Sequence, residues 1–437
     1  MKETAIVRTV NNGADLVASM VTNASAARKT AALGARLDKA DLPQAAEVIR
    51  SVRAVPTIFP WVDCVLGVGG WPTDRFGIVH GPSNNGKTAF VIGQCTSFVR
   101  VGHPALLLDA ERTTANSGDW LASLMGELVK SQLFRLKKPN SYEEIVEQTR
   151  KFCNVIGDAK AHGEVDQDTT GLVVLDSLRK AIPNKLLDQL IREFGDGAKP
   201  GKNERNGIDG ANGRAAQIKA ALNAQWADEL TMLLDQTGTS MIVIGREAKN
   251  CNKKTEFDPD WVLTGGDAII FEASVQARIL ETKRDVDGDR RLLATEHAVE
   301  LRKTKIAGKE ERYPRSYFHL ASGNEEGVPY GFDRARDVLY LAKHMNIIGS
   351  GAWYPFEGEN LGQGESNALK TLRENPALMQ KIETKCRFAK IPQDAQVEAV
   401  GQDGAVIVQE GPKTEPSPSK AAAAPRKRAA AGKAAKK

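Results

Sequence analysis

The octapeptide Gly81-Pro82-Ser83-Asn84-Asn85-Gly86-Lys87-Thr88 constrains this chain more than any other stretch, because it fits the pattern G-x-x-x-x-G-K-[ST]. Gly81 and Gly86 let consecutive backbone N–H groups turn inward on phosphate oxygens. Lys87 is spaced to reach the β- and γ-phosphates, and Thr88 offers a hydroxyl to Mg²⁺. The flanks suit the motif. Phe76-Gly-Ile-Val-His80 predicts a buried strand entering the loop, and Thr88 to Val101 predicts a helix leaving it, whose N-terminus favours anions. Ala105-Leu-Leu-Leu-Asp109 then supplies a second strand at βαβ distance, so the motif implies an α/β core that binds a nucleoside triphosphate.

A chain of 437 residues is long enough for two or three domains, and its 41% hydrophobic and 26% charged content is ordinary for a globular protein. No apolar run approaches the roughly 18 residues of a membrane span, and the amino terminus lacks a basic-then-apolar leader, so no membrane association is expected and the location is read as cytoplasmic. The five cysteines form no C-x-x-C pair and are odd in number, which suits reduced thiols better than a disulfide frame or a zinc site. The net charge of +5 is unevenly spread. From Gly411 onward eight Lys or Arg face the single Glu415, which leaves the first 410 residues at about −2.

Along the chain, residues 1–50 are expected to be helical, as an oligomerisation arm or as a packed cap. After Asp109, Glu111 stands at the end of a strand beside the phosphate loop, where a carboxylate polarises an attacking water. Gly171-Leu-Val-Val-Leu-Asp176-Ser177 is an apolar run that ends in a carboxylate for the Mg²⁺ shell. Residues 195–214, with Lys199, Lys202, Arg205 and Arg214, are too rich in Gly, Asn and charge to pack and are read as a mobile basic loop, either one that contacts phosphate backbones or a solvated insertion. A helix from about Ala215 to Asp235 leads to the strand Ser240–Gly245. A second irregular segment, Arg246 to Gly266, interleaves Lys249, Lys253 and Lys254 with Phe257 and Trp261, a composition that grips single strands, and ends at Gly265-Gly266. Alternation resumes over Val275–Leu280 and His297–Leu301, ending in Lys303-Thr304-Lys305, whose two lysines share one face of a strand and by themselves read as a solvated edge.

This order of motifs resembles the RecA family of recombinases from about Thr57 to Phe388. GPSNNGKTAF is similar to the family's phosphate loop, LLLDAE to its strand with the catalytic Glu, GLVVLDS to its Mg²⁺-side strand, TGGDAIIFEASVQARI to the close of its second DNA-binding loop, and LRKTKIAG to the strand with paired lysines. GAWYPFEGENLGQGESNA, from Gly351, is close to a signature of the bacterial carboxy-terminal domain. The resemblance implies an α/β, RecA-type phosphate-loop ATPase core with a mostly parallel twisted sheet, an N-terminal helical segment and a small α+β C-terminal domain. The corresponding boundaries are 1–50, 51–322 with DNA-binding loops at about 184–214 and 246–266, 323–392, and a disordered basic tail at 393–437. It further implies that ATP and Mg²⁺ are held by Gly81 to Thr88 and Asp176, that Glu111 activates water, and that Lys303 and Lys305 serve the γ-phosphate of a neighbouring subunit in trans. Phe257, Gly265 and Gly266 belong on this view to the second DNA loop and Phe271 to the subunit contact. The partners implied are single- and double-stranded DNA and further copies of the chain in a helical filament.

Three departures bear on mechanism. The family's Gln after the strand at 240–245 is Arg246 here, a group that contacts phosphate more strongly. The first DNA loop is longer by roughly 20 residues, a length surface loops tolerate. The tail is basic where bacterial relatives are acidic. The family's adenine-stacking Tyr has no direct match, and Trp120 is the substitute. The reading is a DNA-dependent ATPase that forms filaments on single-stranded DNA and promotes strand exchange. The alternatives are a RecA-fold motor or regulator without strand exchange and a non-enzymatic DNA coat. Deletion of residues 411–437 is expected to weaken duplex binding and flatten its salt dependence, measured by titration at several salt concentrations, while ATP hydrolysis is kept; an unchanged slope would show that the tail does not touch DNA.

Overall fold

The computed structural model describes residues 52–178, 182–184, 204–250, 255, 261–264, 267–306, 315–349, 351–389, 399–400 and 406–407. The expected N-terminal segment and nearly all of the tail lie outside them. In chain order the elements are β1 (Ala54–Val55), α1 (Pro60–Leu66), β2 (Trp71–Pro72), β3 (Phe76–His80), α2 (Lys87–Arg100), β4 (Ala105–Asp109), α3 (Gly118–Met125), β5 (Phe134–Lys137), α4 (Tyr142–Ala161) and β6 (Gly171–Asp176). They continue with α5 (Glu204–Thr237), β7 (Thr239–Ile244), β8 (Arg246–Lys249), β9 (Trp261–Thr264), α6 (Asp267–Glu272), β10 (Val275–Val286), β11 (Leu292–Thr304), β12 (Arg315–Ala321), β13 (Gly331–Phe332), α7 (Arg334–His344), α8 (Glu365–Glu374) and α9 (Pro376–Phe388).

One nine-stranded sheet, in the order β13-β12-β11-β10-β3-β7-β6-β4-β5, carries the core. Neighbours from β10 through β3, β7, β6 and β4 to β5 pair in parallel, whereas β10 to β13 pair antiparallel. The parallel strands read as nearly continuous apolar runs because helices cover both faces. Successive side chains along a strand point to opposite faces, so Val79, Leu107 and Val174 enter one apolar cluster while Ile78, Leu106, Leu108 and Val173 enter the other. The first cluster lies under α1, α2 and α3 and centres on aromatic rings: Phe59 sits 5.0 Å from Phe90, 5.1 Å from Phe318 and 5.3 Å from Phe332. The second packs α4, α5 and α6 on the other face, with Ile145, Trp226 and Leu234 buried.

A third cluster, formed by α7, α8 and α9, takes in Trp61 of α1, so the C-terminal helices dock on the core through α1. Arg387 of α9 pairs with the buried Asp63 of α1 and donates to the Thr57 carbonyl at 2.8 Å. Four of the five cysteines, Cys64, Cys95, Cys153 and Cys386, are free thiols, as expected; Cys251 lies outside the described residues. Among the described residues no helix is long and apolar enough to cross a membrane.

Several boundaries differ from the sequence expectation. Helix α5 begins at Glu204 rather than near Ala215, so Arg205 and Arg214 fall on a helix and not in a loop. Its N-terminal turns contain glycines but no proline, and glycine weakens a helix by only about 1 kcal/mol whereas proline breaks it. The segment from Arg246 is not wholly irregular: β8 and β9 pair antiparallel, Arg246 opposite Thr264 and Lys249 opposite Trp261, because Glu247 and Leu263 turn inward and anchor it. The main sheet takes its last strand, β13, from beyond Ser322. Within the expected disordered tail, Ala399–Val400 pairs with Val406–Ile407, two apolar pairs separated by a stretch holding Gly401 and Gly404. Replacement of the wholly buried Phe59 by Ala removes one member of the aromatic cluster and is expected to cost about 3–5 kcal/mol, read as a fall in the denaturant midpoint.

Candidate functional site: a nucleotide cleft at the strand ends

A cleft of about 1220 Å³ opens where β3, β6 and β7 end, lined by the whole loop Gly81–Thr88 and by Glu111, Trp120, Asp176, Arg246, Glu247 and Tyr330. Its position, at the carboxyl ends of parallel strands, is where open α/β sheets bind ligands. The loop backbone demands its glycines. Gly81 has φ +142°, and a Cβ there would lie 2.2 Å from the Ile279 carbonyl of β10. Gly86 has φ +83°, and its Cβ would meet His297 Nδ1 at 2.8 Å. Helix α2 starts at Lys87 with no side chain capping it, so its first amides face the loop and offer donors to an anion.

Thr88 Oγ1 donates to Asp176 Oδ2 at 2.8 Å, which joins the first turn of α2 to the end of β6. Asp176 is only 2% exposed. Burial pushes its carboxyl up to about 7; the Thr88 hydrogen bond and Lys87 oppose this, while Glu111 and Asp109 add to it. A hydroxyl beside a buried carboxylate that lacks full compensation is a hard oxygen pair suited to Mg²⁺. Lys87 Nζ donates to the Pro82 carbonyl within the loop, and burial lowers its pKa against the pull of Asp176, Glu247 and Glu111. Glu111 is exposed to the cleft, and its Oε1 accepts a hydrogen bond of 2.7 Å from Ser177 Oγ. Its backbone N–H donates to the Asp176 carbonyl at 3.0 Å, so both acids are held by one junction between β4 and β6. At another part of the lining Trp120 Nε1 donates to Tyr330 Oη at 2.9 Å.

The structure therefore brings Gly81, Pro82, Ser83, Asn84, Asn85, Gly86, Lys87, Thr88, Glu111, Trp120, Asp176 and Arg246 into one cleft. Lys303 and Lys305 are elsewhere. Lys303 Nζ donates to the carbonyls of Ile270 (2.9 Å) and Phe271 (2.6 Å) at the end of α6, and Lys305 Nζ reaches that of Glu272 at 3.5 Å. Both ammonium groups lie over the ring of Phe271, at 5.4 and 5.3 Å, and that ring is 71% exposed. Lys199, Lys202, Lys253, Lys254, Phe257, Gly265 and Gly266 lie outside the described residues.

Sequence reasoning missed Ser177, Tyr330, Glu247, His80 and His297. Glu247 accepts Arg278 in a two-pronged pair (2.7 and 3.0 Å) and His80 Nδ1–H at 2.7 Å. Burial alone would raise its pKa, but His80 and Arg278 hold it at about 2. His297 stacks on Phe318 at 4.9 Å and donates from Nδ1 to the Asn85 carbonyl at 3.1 Å, supporting the loop from behind. The available signal was position: a polar residue closing an otherwise buried strand, as at His80 and Ser177, marks a site neighbour.

The RecA C-terminal domain family matches residues 336–390. The Protein RecA of Bordetella avium (strain 197N) is 27% identical over 343 residues, which cover 78% of this chain and 83% of that protein.

The shifted carboxyl gives a test of the site. In the folded state Asp176 holds its proton up to about 7 against an ordinary 3.8, so nucleotide-free protein loses stability through this group as pH rises across that window. Asp176→Asn lacks that loss. Its melting temperature relative to the native chain is expected to climb between pH 5 and pH 8, read by thermal unfolding without metal; a constant difference would contradict the shift.

Proposed function

We propose that this chain, which belongs to the RecA family, is a DNA-dependent ATPase that assembles on single-stranded DNA and promotes homologous pairing and strand exchange in the cytoplasm. The observation that carries the reading is the Thr88–Asp176 pair beside Glu111 in a phosphate cradle, on a chain that also bears the matched C-terminal domain.

The residues divide the work. Gly81 to Lys87 receive the phosphates of ATP, and the Lys87 charge neutralises them. Thr88 and Asp176 hold Mg²⁺, which supplies charge compensation at the phosphate oxygens. Glu111 accepts the proton of the attacking water, with Ser177 fixing the orientation of its carboxylate. Trp120, braced by Tyr330, offers an aromatic face to the base. Lys303 and Lys305 sit beside an exposed Phe271 and away from their own cleft, which fits service to the phosphates of the next protomer across a filament contact. Single- and double-stranded DNA contact the basic segments that include Lys199, Lys202, Arg205 and Arg214 and the region between β8 and β9.

Arg246 at the cleft, in place of an uncharged amide, favours a second reading, a RecA-fold motor or regulator without strand exchange. Steady-state ATP hydrolysis with and without single-stranded DNA separates the two. Glu111→Gln is expected to lower turnover about 10²–10⁴-fold, and Lys303→Ala/Lys305→Ala to abolish DNA stimulation. Turnover that ignores DNA and survives the double replacement would place the complete machinery in one subunit and favour the second reading.

A further inference from the structure

The ribbon β8–β9 carries the residues that flank a proposed DNA-contacting segment, yet neither strand pairs with the main sheet. Its attachments include the Gly245 N–H, just before it, which donates to the Val79 carbonyl, Leu263, which packs on the second apolar cluster, and the buried Glu247. The Glu247 side chain is 5% exposed and His80 7%, so the acid on the ribbon is bonded in a nearly dry setting. Its partners belong to the nucleotide site. His80 immediately precedes Gly81. Arg278 is the register partner of His80 across β3 and β10, next to Ile279, whose carbonyl is what excludes a Cβ at Gly81. Gln276 completes the group by donating to His80 Nε2 at 3.1 Å, and its own register partner on β11 is Lys303.

We infer that Glu247, Arg278 and His80 form the coupling element of this protein, setting the pose of the β8–β9 ribbon according to what occupies the nucleotide cleft. The inference rests on the ATPase reading above and names how that site is regulated. Three physical points carry it. A buried carboxylate that loses one of its partners is strongly destabilised, so the cluster is made or broken as a unit and does not deform gradually. Glu247 also lines the cleft and acts on Lys87. Incoming phosphates compete with Glu247 for that positive charge and repel it, so the ligand's interaction energy depends on whether Glu247 keeps this position, the requirement for any ligand-driven shift. Finally, His80 stands directly before the phosphate loop and Arg278 is its register partner on β10, so both partners of the ribbon's carboxylate are fixed at the foot of the cleft. These are positioning residues; none is assigned a step in hydrolysis.

The test measures coupling, not activity. In the full chain, a fluorescent non-hydrolysable ATP analogue is titrated with and without an oligothymidylate, and the oligothymidylate with and without the analogue. The native ratio of affinities is expected to be about 5-fold or more, and to fall below about 2-fold, equally in both directions, in Glu247→Gln and in Arg278→Gln. The double variant is expected to lose no more coupling than either single one, since the cluster acts as a unit. His80→Gln, which keeps a donor toward Glu247, covers the case in which the charge-removing variants fail to fold; it is expected to retain part of the ratio. Affinities that fall while the native ratio survives would reduce the cluster to a structural brace and overturn the inference alone. A native chain that shows no coupling would overturn the inference, while the ATPase reading stands or falls separately on hydrolysis with and without single-stranded DNA.

Discussion

A single buried carboxylate organises the candidate nucleotide site of this protein. Asp176 closes β6 with its side chain almost wholly out of water, and the hydroxyl that satisfies it, Thr88, is the second residue of α2. Because α2 can start only after the glycine turn at Gly86, the hydrogen bond fixes loop, helix and strand in one relation. Glu111 is held to the same strand end by backbone and side chain. The geometry proposed for phosphate, metal and water thus derives from one contact between two elements far apart in sequence, and the uncompensated part of its charge is what a cation is suited to neutralise.

The same economy appears on the antiparallel side of the sheet. Strand β10 is parallel to β3 and antiparallel to β11, so it is the hinge between the two halves. It delivers the Ile279 carbonyl against Gly81 and Arg278 against Glu247. His297 of β11 supports the loop from behind through Asn85. The phosphate loop is therefore clamped from two strands as well as from its own helix.

What the sequence disclosed and what it hid follow a physical line. The buried parallel strands were readable because both of their faces meet apolar layers, and the phosphate loop because its backbone excludes all but a few residue types. Helix α5 started early since local glycine enrichment suggested a loop while the lack of proline permitted a helix. Glu247, Tyr330 and His297 were invisible for another reason. Their partners, His80, Trp120 and Asn85, lie 167, 210 and 212 positions away, and no local pattern encodes such a pairing. Lys303 and Lys305 were correctly paired on one face, yet only the fold reveals that they close the end of α6 over Phe271.

The docking of α9 on α1 settles where this chain can be divided. Asp63 lies 2% exposed in a helix near the start of the described residues, and the guanidinium that answers it belongs to Arg387, at the far end of the C-terminal helices. Trp61 is shared between the two bodies in the same way. A fragment that stops at the end of the sheet, as the motif order alone would suggest, leaves a carboxylate without its cation and an indole without its cover. The sheet core and the C-terminal helices thus pack as one unit through α1: a foreign counterpart of either would leave this ion pair and indole unmatched unless α1 travelled with it.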